Sequence, residues 1–374
     1  MVHMTVASER RLGWPKSRLR RFSTGLGWPG ERVDPQPAGG YPQASPVSRE
    51  TSAPSPEVPV EVPAARDDSS QAAELPNLPQ LPDVPELVDT PAPQVRPRRG
   101  GALPRPVRTR VMVVANQKGG VGKTTTTVNV ATALAMEGLR TLVIDLDPQG
   151  NASTALGIPH TRGTPSSYDV MVDGVAIADV SQQHATIPML HVVPATIDLA
   201  GAEIELVSMV ARENRLRRAI HAHPLVLSEG EDRYDYVFID CPPSLGLLTL
   251  NALVAGAEMF IPIQAEYYAL EGLGQLLETV EMVRAHLNAE LVVSTILLTM
   301  YDARTNLAAG VAHEVRQHFG EHVLRTTIPR SVRVSEAPSY GQSVITYDPG
   351  SPGALCYIEA ARELAQPDKS GGIA

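Results

Sequence analysis

A glycine-rich segment carries the strongest chemical signal in the sequence. Residues 118–125 read Lys-Gly-Gly-Val-Gly-Lys-Thr-Thr and follow the apolar run 111–115. Glycines allow the backbone to approach phosphate oxygens closely and to direct successive N–H groups at them. A lysine and a hydroxyl at the end of such a loop suit the β- and γ-phosphates and Mg²⁺. We therefore expect Lys123 and Thr124 to bind a nucleoside triphosphate and its metal ion.

Carboxylates follow two further apolar runs. Asp145 and Asp147 come at the end of the run 141–144, and Asp240 ends the run 236–240. The carboxyl ends of parallel strands face the ligand crevice of an open α/β sheet. We expect Asp240 to bind Mg²⁺, directly or through water, and Asp147 to act at the same site. A simple Asx turn before Pro148 is the alternative for Asp147, and Cys241 is expected to be a small buried residue.

These motifs resemble those of the ParA (Soj-type) chromosome-partitioning ATPases, within the ParA/MinD family of deviant Walker A proteins. The family pattern is KGGxGK followed by Ser or Thr, and the resemblance spans residues 111–365. The similar stretches include residues 194–203, 266–273, 299–306 and 328–339. Ser331, where many relatives have Asn, is a mild departure. The resemblance implies slow ATP hydrolysis that a ParB-type centromere-binding partner stimulates.

The resemblance also assigns roles to individual residues. Lys118 is expected to cross to the nucleotide of a second subunit in an ATP sandwich dimer, where it stabilises transition-state charge. Asp147 is expected to position and activate the attacking water, and Asp145 to support metal or loop geometry. The implied nucleotide-binding residues are Lys118, Gly119, Gly120, Val121, Gly122, Lys123, Thr124, Thr125, Pro329 and Arg330. The implied catalytic residues are Lys118, Lys123 and Asp147, and the implied Mg²⁺ site consists of Thr124, Asp147 and Asp240.

DNA binding is harder to reconcile with the charge distribution. Residues 1–110 contain 15 Lys and Arg against 12 Asp and Glu, a net of +3, and the remainder contains 17 against 29, a net of −12. An acidic domain binds nucleic acid only through a local basic patch. The resemblance implies that the ATP dimer binds double-stranded DNA without sequence preference through Arg304, Arg330 and Arg333. A structural salt bridge is the alternative for each arginine, and Arg330 could instead serve adenine.

Strands and helices alternate along the second part of the chain. Apolar runs at 111–115, 141–144, 191–194, 236–240, 259–262 and 293–298 predict strands that are buried on both faces. Helices are predicted from the glycine-rich loop to about Glu137, closed by Gly138, then at 271–287 and 307–318, and from Ser351 and Pro352 onward. This order predicts an α/β fold, a mostly parallel twisted sheet with helices on both faces.

The first 108 residues are predicted to be a disordered Pro/Arg-rich arm. Residues 1–110 contain 19 of the 33 prolines, and such sequence buries too little apolar surface to fold. Leu-Gly-Trp-Pro occurs at 12–15 and again at 26–29, beside basic residues between Arg10 and Arg21. The repeat is either chance in a solvated tail or a site for nucleoid DNA, anionic lipid or a cell-pole scaffold protein. Residues 109–366 are expected to form the ParA-type domain, and 367–374 a flexible tail.

Composition restricts the other function classes. Cys241 and Cys356 are the two cysteines and form no CxxC motif, which excludes a disulfide framework and a zinc ribbon. No apolar run reaches the roughly 18 residues that span a bilayer, so we expect a cytoplasmic protein without membrane insertion. The resemblance implies in addition that it associates with the nucleoid. The alternative is a MinD-like membrane-associated positioning ATPase. It needs a basic amphipathic C-terminal helix, which the polar end of this chain does not favour.

Overall fold

Short runs of β-branched and aromatic residues form a sheet in the computed structural model, which describes residues 103–266 and 269–366. The strands of this sheet are β1 (Arg110–Val114), β2 (Thr141–Asp145), β3 (Gln182–Gln183), β4 (Leu190–Val193), β5 (Tyr236–Asp240), β6 (Glu258–Gln264), β7 (Val292–Tyr301) and β8 (Val323–Pro329). Their order is β3-β4-β2-β5-β1-β6-β7-β8. Neighbouring strands are parallel, except β3 with β4. The predicted fold class is confirmed.

Helices connect the strands. They are α1 (Lys123–Met136), α2 (Asn151–Ala155), α3 (Ile177–Val180), α4 (Leu199–Val207), α5 (Arg215–Ala222), α6 (Pro224–Leu227), α7 (Leu247–Ala255), α8 (Ala269–His286), α9 (Asn306–Phe319), α10 (Val332–Glu336), α11 (Val344–Tyr347) and α12 (Pro352–Leu364). Single turns of other helix types span Asp169–Asp173, Arg212–Asn214, Gly320–His322 and Ala337–Tyr340. Within the described ranges, no helix combines the length and apolar character needed to cross a membrane.

Alternate side chains of the central strands pack on opposite faces of the sheet, as the two-residue period of a strand requires. On β1, Met112 and Val114 belong to the apolar core that also includes α1, α11 and α12. Val113 belongs to the opposite core, together with α4, α5, α7, α8 and α9. Helices therefore cover both faces of the sheet. A ligand can reach the sheet only where its strands end.

Two helix boundaries agree with their sequence signals. Gly138 has a φ of +94° and donates its N–H to the carbonyl of Ala135 at 3.1 Å, which ends α1. The Ser351 side chain accepts a hydrogen bond from the N–H of Ala354, and Pro352 occupies the first turn of α12. The predicted end of α1 and the predicted start of α12 are both confirmed.

The sequence does not predict β8, because this edge strand is only half-buried and carries Arg325 and Thr326 at its centre. The N–H groups of these two residues donate to the carboxylate of Glu363 at 2.8 and 3.1 Å. Glu363 of α12 thus occupies donors that an open sheet edge would leave unpaired. β8 ends at Pro329, level with Tyr301 of β7.

Residues 103–109, which precede β1, contact the domain. Arg105 Nε lies 2.8 Å from Asp235 Oδ1, and Arg233 donates to the carbonyl of Val107 at 2.9 Å. The last residues of the predicted arm 1–108 are therefore tied to the domain. The repeated Leu-Gly-Trp-Pro unit and the predicted tail 367–374 lie outside the described residues.

Candidate functional site

The glycine-rich loop joins the end of β1 to the start of α1. Gly120 and Gly122 have φ values of +73° and +87°, a backbone conformation in which side chains are strained. Thr299 Oγ1 of β7 donates to the carbonyl of Val121 at 2.8 Å, and Asn116 Nδ2 donates to a carbonyl of β6 at 2.9 Å. Hydrogen bonds to two neighbouring strands thus set the shape of the loop.

Lys123, the first residue of α1, is buried beneath the loop. Its Nζ donates to the carbonyl of Lys118 at 3.4 Å. Burial lowers the pKa of Lys123, whereas the negative charges of Asp240 and Asp147 act to raise it. A lysine ammonium beside the N-terminus of a long helix attracts phosphate, because the charge and the helix dipole have the same sign there.

Asp240 ends β5 and lies beneath the first turn of α1. Thr124 Oγ1 donates to Asp240 Oδ2 at 2.7 Å, and Thr127 Oγ1 donates to Oδ1 at 2.8 Å. Burial raises the pKa of Asp240, and the neighbouring charges of Asp145 and Asp147 raise it further. A cation at this position would relieve the repulsion between the carboxylates.

Asp145 organises the loop that carries Asp147. Asp145 Oδ1 accepts the N–H of Asp147 at 3.1 Å, and Oδ2 accepts the hydroxyl of Ser153 at 2.7 Å. Asp147 Oδ1 accepts the N–H of Gln149 at 3.0 Å, so the Asx turn that the sequence suggests is formed. The turn leaves the Asp147 carboxylate close enough to Lys123 to act on its pKa.

Lys118 pairs with a carboxylate of its own chain. Its Nζ lies 2.8 Å from Glu266 Oε2, and Oε1 of the same residue lies 3.9 Å from Nη2 of Arg330. One carboxylate therefore connects the lysine predicted to be catalytic with the arginine predicted near adenine. All three side chains are partly exposed, and exposed ion pairs are worth about 0–1 kcal/mol. Lys118 can exchange Glu266 for another anion at little cost.

The arginines predicted to bind DNA are exposed, yet each is paired with an acid. Arg304 donates to both carboxylate oxygens of Asp302, at 2.9 and 2.8 Å. These hydrogen bonds lower the pKa of Asp302 to about 2, and the charge of Arg330 contributes. Arg333 Nη1 lies 3.1 Å from Glu336 Oε2, on the same helix. The structure thus brings Arg304 and Arg330 near one acid, while Arg333 pairs separately.

Comparison with known proteins decides the family. The AAA domain family matches residues 109–293. Over 256 residues the chain is 52% identical to sporulation initiation inhibitor protein Soj of Bacillus subtilis, an alignment that covers 68% of this chain and 98% of that protein. Over 255 residues it is 49% identical to chromosome partitioning protein ParA of Caulobacter vibrioides, covering 68% and 93%. The chain belongs to the ParA (Soj-type) family.

A solved structure supports the nucleotide-binding fold of this ParA-family chain. Cobyrinic acid a,c-diamide synthase from Mycobacterium smegmatis, with bound ADP and magnesium, is 37% identical, with a TM-score of 0.56. The similarity covers 68% of this chain and 92% of that one. This identity is lower than that to the Soj and ParA proteins, so the partitioning proteins are the better guide to function.

The donors at the site fit a magnesium ion that arrives together with a nucleotide. Thr124 and Asp240 present a hydroxyl and a carboxylate 2.7 Å apart. Mg²⁺ is usually bound through one or two carboxylates together with substrate phosphates and water. Across the residues that the structure describes, no group of three or more His, Cys, Asp or Glu side chains could hold a metal ion. For a Mg²⁺ ion held in the usual way, the remaining ligands would come from phosphate and water.

Sequence reasoning did not single out three side chains of the site, Thr127, Ser153 and Glu266. Thr127 follows Thr124 by three residues on α1, and a second hydroxyl at that spacing was a usable signal. Glu266 follows the end of β6, so its place beyond a predicted strand was also visible. The sequence shows no comparable signal for Ser153, because its partner Asp145 lies across a loop.

Proposed function

We propose that this ParA-family protein is a chromosome-partitioning ATPase. The observation that carries the proposal is the convergence of Lys123, Thr124, Asp147 and Asp240 beneath a loop shaped for phosphate. Together with Lys118, these side chains are the full set expected of an active enzyme, which argues against a scaffold that has lost turnover. The similarity to partitioning proteins supports the biological role.

In this proposal ATP binds with its phosphates on the loop 118–125. Lys123 and the N-terminal dipole of α1 offset the phosphate charge. Thr124 and Asp240 would hold Mg²⁺, which neutralises charge between the β- and γ-phosphates, and Asp147 positions and activates the attacking water. Pro329 and Arg330, at the end of β8, contribute to the adenine end of the site.

Lys118 is proposed to act on the nucleotide of a second subunit. For this it exchanges Glu266 for phosphate oxygens, where its charge stabilises the transition state. Two subunits then enclose two ATP molecules. Turnover in this dimer is slow until a ParB-type partner bound at the centromere stimulates it, and hydrolysis separates the subunits.

The ATP dimer is proposed to bind double-stranded DNA on the nucleoid without sequence preference. Arg304, Arg330 and Arg333 are the proposed DNA-binding residues, and dimerisation doubles their number. Each arginine exchanges an acid of its own chain for a DNA phosphate, and each neutralised phosphate releases counterions. Because each such exchange adds little binding free energy, we expect a monomer to bind DNA weakly.

DNA pelleting with ATP, ADP or no nucleotide tests the proposed function. We expect the full-length protein to sediment with DNA of any sequence in the presence of ATP and to remain in the supernatant otherwise. Liposome flotation under the same three conditions tests the MinD-like alternative. Pelleting with DNA that does not depend on the nucleotide would contradict the proposal. So would ATP-dependent flotation with liposomes in the absence of DNA binding.

A further inference from the structure

A carboxylate oxygen on α4 is buried without a hydrogen bond. Oε1 of Glu203 is shielded from solvent, and among the residues that the structure describes it has no hydrogen-bond partner. Such oxygens are uncommon, because a buried polar atom without a partner destabilises the fold. The nucleotide chemistry proposed above does not use Glu203, so the position of its carboxylate calls for a different role.

The carboxylate of Glu203 lies against Gly246, which directly precedes α7. A Cβ on Gly246 would be 1.9 Å from Glu203 Oε1 and 2.8 Å from its Cδ, so no side chain fits there while the carboxylate keeps its place. The backbone of Gly246 is extended, with a φ of −77°, a conformation open to other residues. The obstacle to a side chain at this position is therefore the carboxylate and not backbone strain.

Gly246 also ends the loop that leads from Asp240 into α7. As the N-cap residue of α7, this glycine supplies no side-chain hydrogen bond, and the first N–H groups of a helix have no acceptor within the helix. The positive end of the helix dipole attracts a carboxylate. A small movement of the loop would bring one of these N–H groups within hydrogen-bonding distance of Glu203 Oε1.

The segment that runs into α4 also reaches the other carboxylate loop of the site. The N–H of Ala195 donates to Ser153 Oγ at 3.0 Å, and Ser153 donates to Asp145 Oδ2 at 2.7 Å. Asp145 Oδ1 in turn accepts the N–H of Asp147 at 3.1 Å. One segment therefore contacts the loop after β2 at its start and the loop after β5 through its helix.

We propose that Glu203 is a positioning residue for ATP hydrolysis. It fixes Gly246, and with it the loop that follows Asp240, relative to the loop that carries Asp147. Because Glu203 acts through Gly246 and not on the nucleotide, its loss should slow the chemical step and leave ATP binding almost unchanged. The role in hydrolysis rests on the proposed function, whereas the contact between Glu203 and Gly246 does not.

Two single variants and their combination test this role. Glu203→Ala and Gly246→Ala should each lower single-turnover hydrolysis at saturating ATP and Mg²⁺ by about tenfold or more, because the first removes the carboxylate and the second displaces it. ATP affinity should stay within about threefold of the parent. The double variant should be no slower than Glu203→Ala alone, because the added methyl group then meets no carboxylate.

Glu205→Gln is the matched control on the same helix. Glu205 is exposed and accepts the hydroxyl of Tyr168 at 3.0 Å, and residues two apart on a helix do not share a side. This variant should hydrolyse ATP like the parent protein. Circular dichroism gives the folded fraction of each variant, to which its hydrolysis rate is referred. If Glu203→Ala does not fold, Gly246→Ala carries the test.

Amide hydrogen exchange adds a readout that needs no turnover. In the full-length protein without nucleotide, Glu203→Ala should speed exchange in residues 241–249 by about tenfold, because the loop loses its neighbour on α4. Glu205→Gln should leave exchange in these residues unchanged. The glycine-rich loop 118–125 should exchange alike in all the proteins.

Three results would overturn the proposal. One is hydrolysis by both single variants at the rate of the parent. Another is a loss of ATP affinity that accounts for the whole effect. The third is a double variant in which the two losses multiply, since independent effects mean that the residues do not act through one contact. If the parent protein itself does not hydrolyse ATP, the proposed function fails, and hydrogen exchange still tests the contact of Glu203 with Gly246.

Discussion

Thr124 Oγ1 donates a 2.7 Å hydrogen bond to Asp240 Oδ2, and this hydrogen bond joins the first turn of α1 to the end of β5. It depends on the parallel pairing of β1 with β5, in which Val114 is level with Asp240. The glycine-rich loop then turns back over the same strand end. Since Thr127 donates to the other carboxylate oxygen, hydroxyl groups of α1 contact both oxygens of Asp240.

The two lysines of the loop should fail in different ways. Lys123→Ala should weaken ATP binding by about 10- to 100-fold, because it removes a charged partner of the phosphates. Lys118→Ala should leave ATP affinity within about threefold of the parent, yet abolish ATP-dependent dimerisation or lower hydrolysis by about 100-fold or more. Nucleotide titration with light scattering separates the two, and identical defects would remove the case for a role of Lys118 in a second subunit.

Asp147→Ala should retain an ATP dimer on DNA. Without the carboxylate that we propose positions the attacking water, single-turnover hydrolysis should fall by about 100-fold or more, and release from DNA should slow equally. Gln149→Ala is the matched control, because Gln149 meets Asp147 through its backbone N–H, which the substitution keeps. Normal turnover in the Asp147 variant would transfer the role to another group, Asp145 first.

The arginines that we propose to bind DNA can be tested in both directions. Arg304→Glu or Arg333→Glu should weaken binding to all sequences alike and flatten the salt slope by about one unit for each phosphate that is no longer neutralised. Asp302→Asn should do the opposite and strengthen binding a few-fold, because it frees Arg304 from its bidentate pair. Dimerisation by ATP should survive every change. Losses that differ between DNA sequences would contradict non-specific binding.

The central strands and the glycine-rich loop could be predicted because local sequence determines both. β1, β2 and β5 are covered on both faces and therefore read as unbroken apolar runs. β3 and β8 lie at the edges, where half-exposed positions accept Gln, Arg and Thr, so their sequences carry no such run. Gly138 and Ser351 were visible because caps are local signals.

Interactions between distant segments could not be predicted in the same way. The pair of Lys118 with Glu266 exists because β6 lies beside β1, and no residue type near Lys118 announces that neighbour. The same holds for the proximity of Asp302 to Arg330, which depends on the pairing of β7 with β8. The resemblance pointed to the arginines, but only the fold shows that Arg330 lies near Glu266, a residue of a distant segment.

We expect His223 to make the domain sensitive to acid through its hydrogen bond at the start of α6. Its Nδ1 accepts the N–H of Leu225 at 3.1 Å, its ring lies 5.4 Å from that of Tyr234, and it is buried. Protonation would remove this acceptor. Burial lowers the pKa of His223 below its ordinary value near 6.5, so over the pH range between the two values the unfolded chain binds more protons than the folded one. The free energy of unfolding should therefore fall as the pH drops below about 6.5.

His223→Asn should reduce this loss, because an Asn oxygen still accepts the N–H of Leu225 but does not titrate. His221→Asn is the matched control, since His221 is exposed and only two residues away, and it should keep the pH dependence of the parent. Urea unfolding of the full-length proteins at pH 8.0 and 5.5 should be followed by circular dichroism, because both tryptophans, at positions 14 and 28, lie outside the residues that the structure describes. The His223 variant should unfold within about 1 kcal/mol of the parent at pH 8.0 and lose less stability at pH 5.5. His191 is also partly buried, with a lowered pKa, so some acid sensitivity should persist. An equal loss in all three proteins would show that His223 is not the group that titrates.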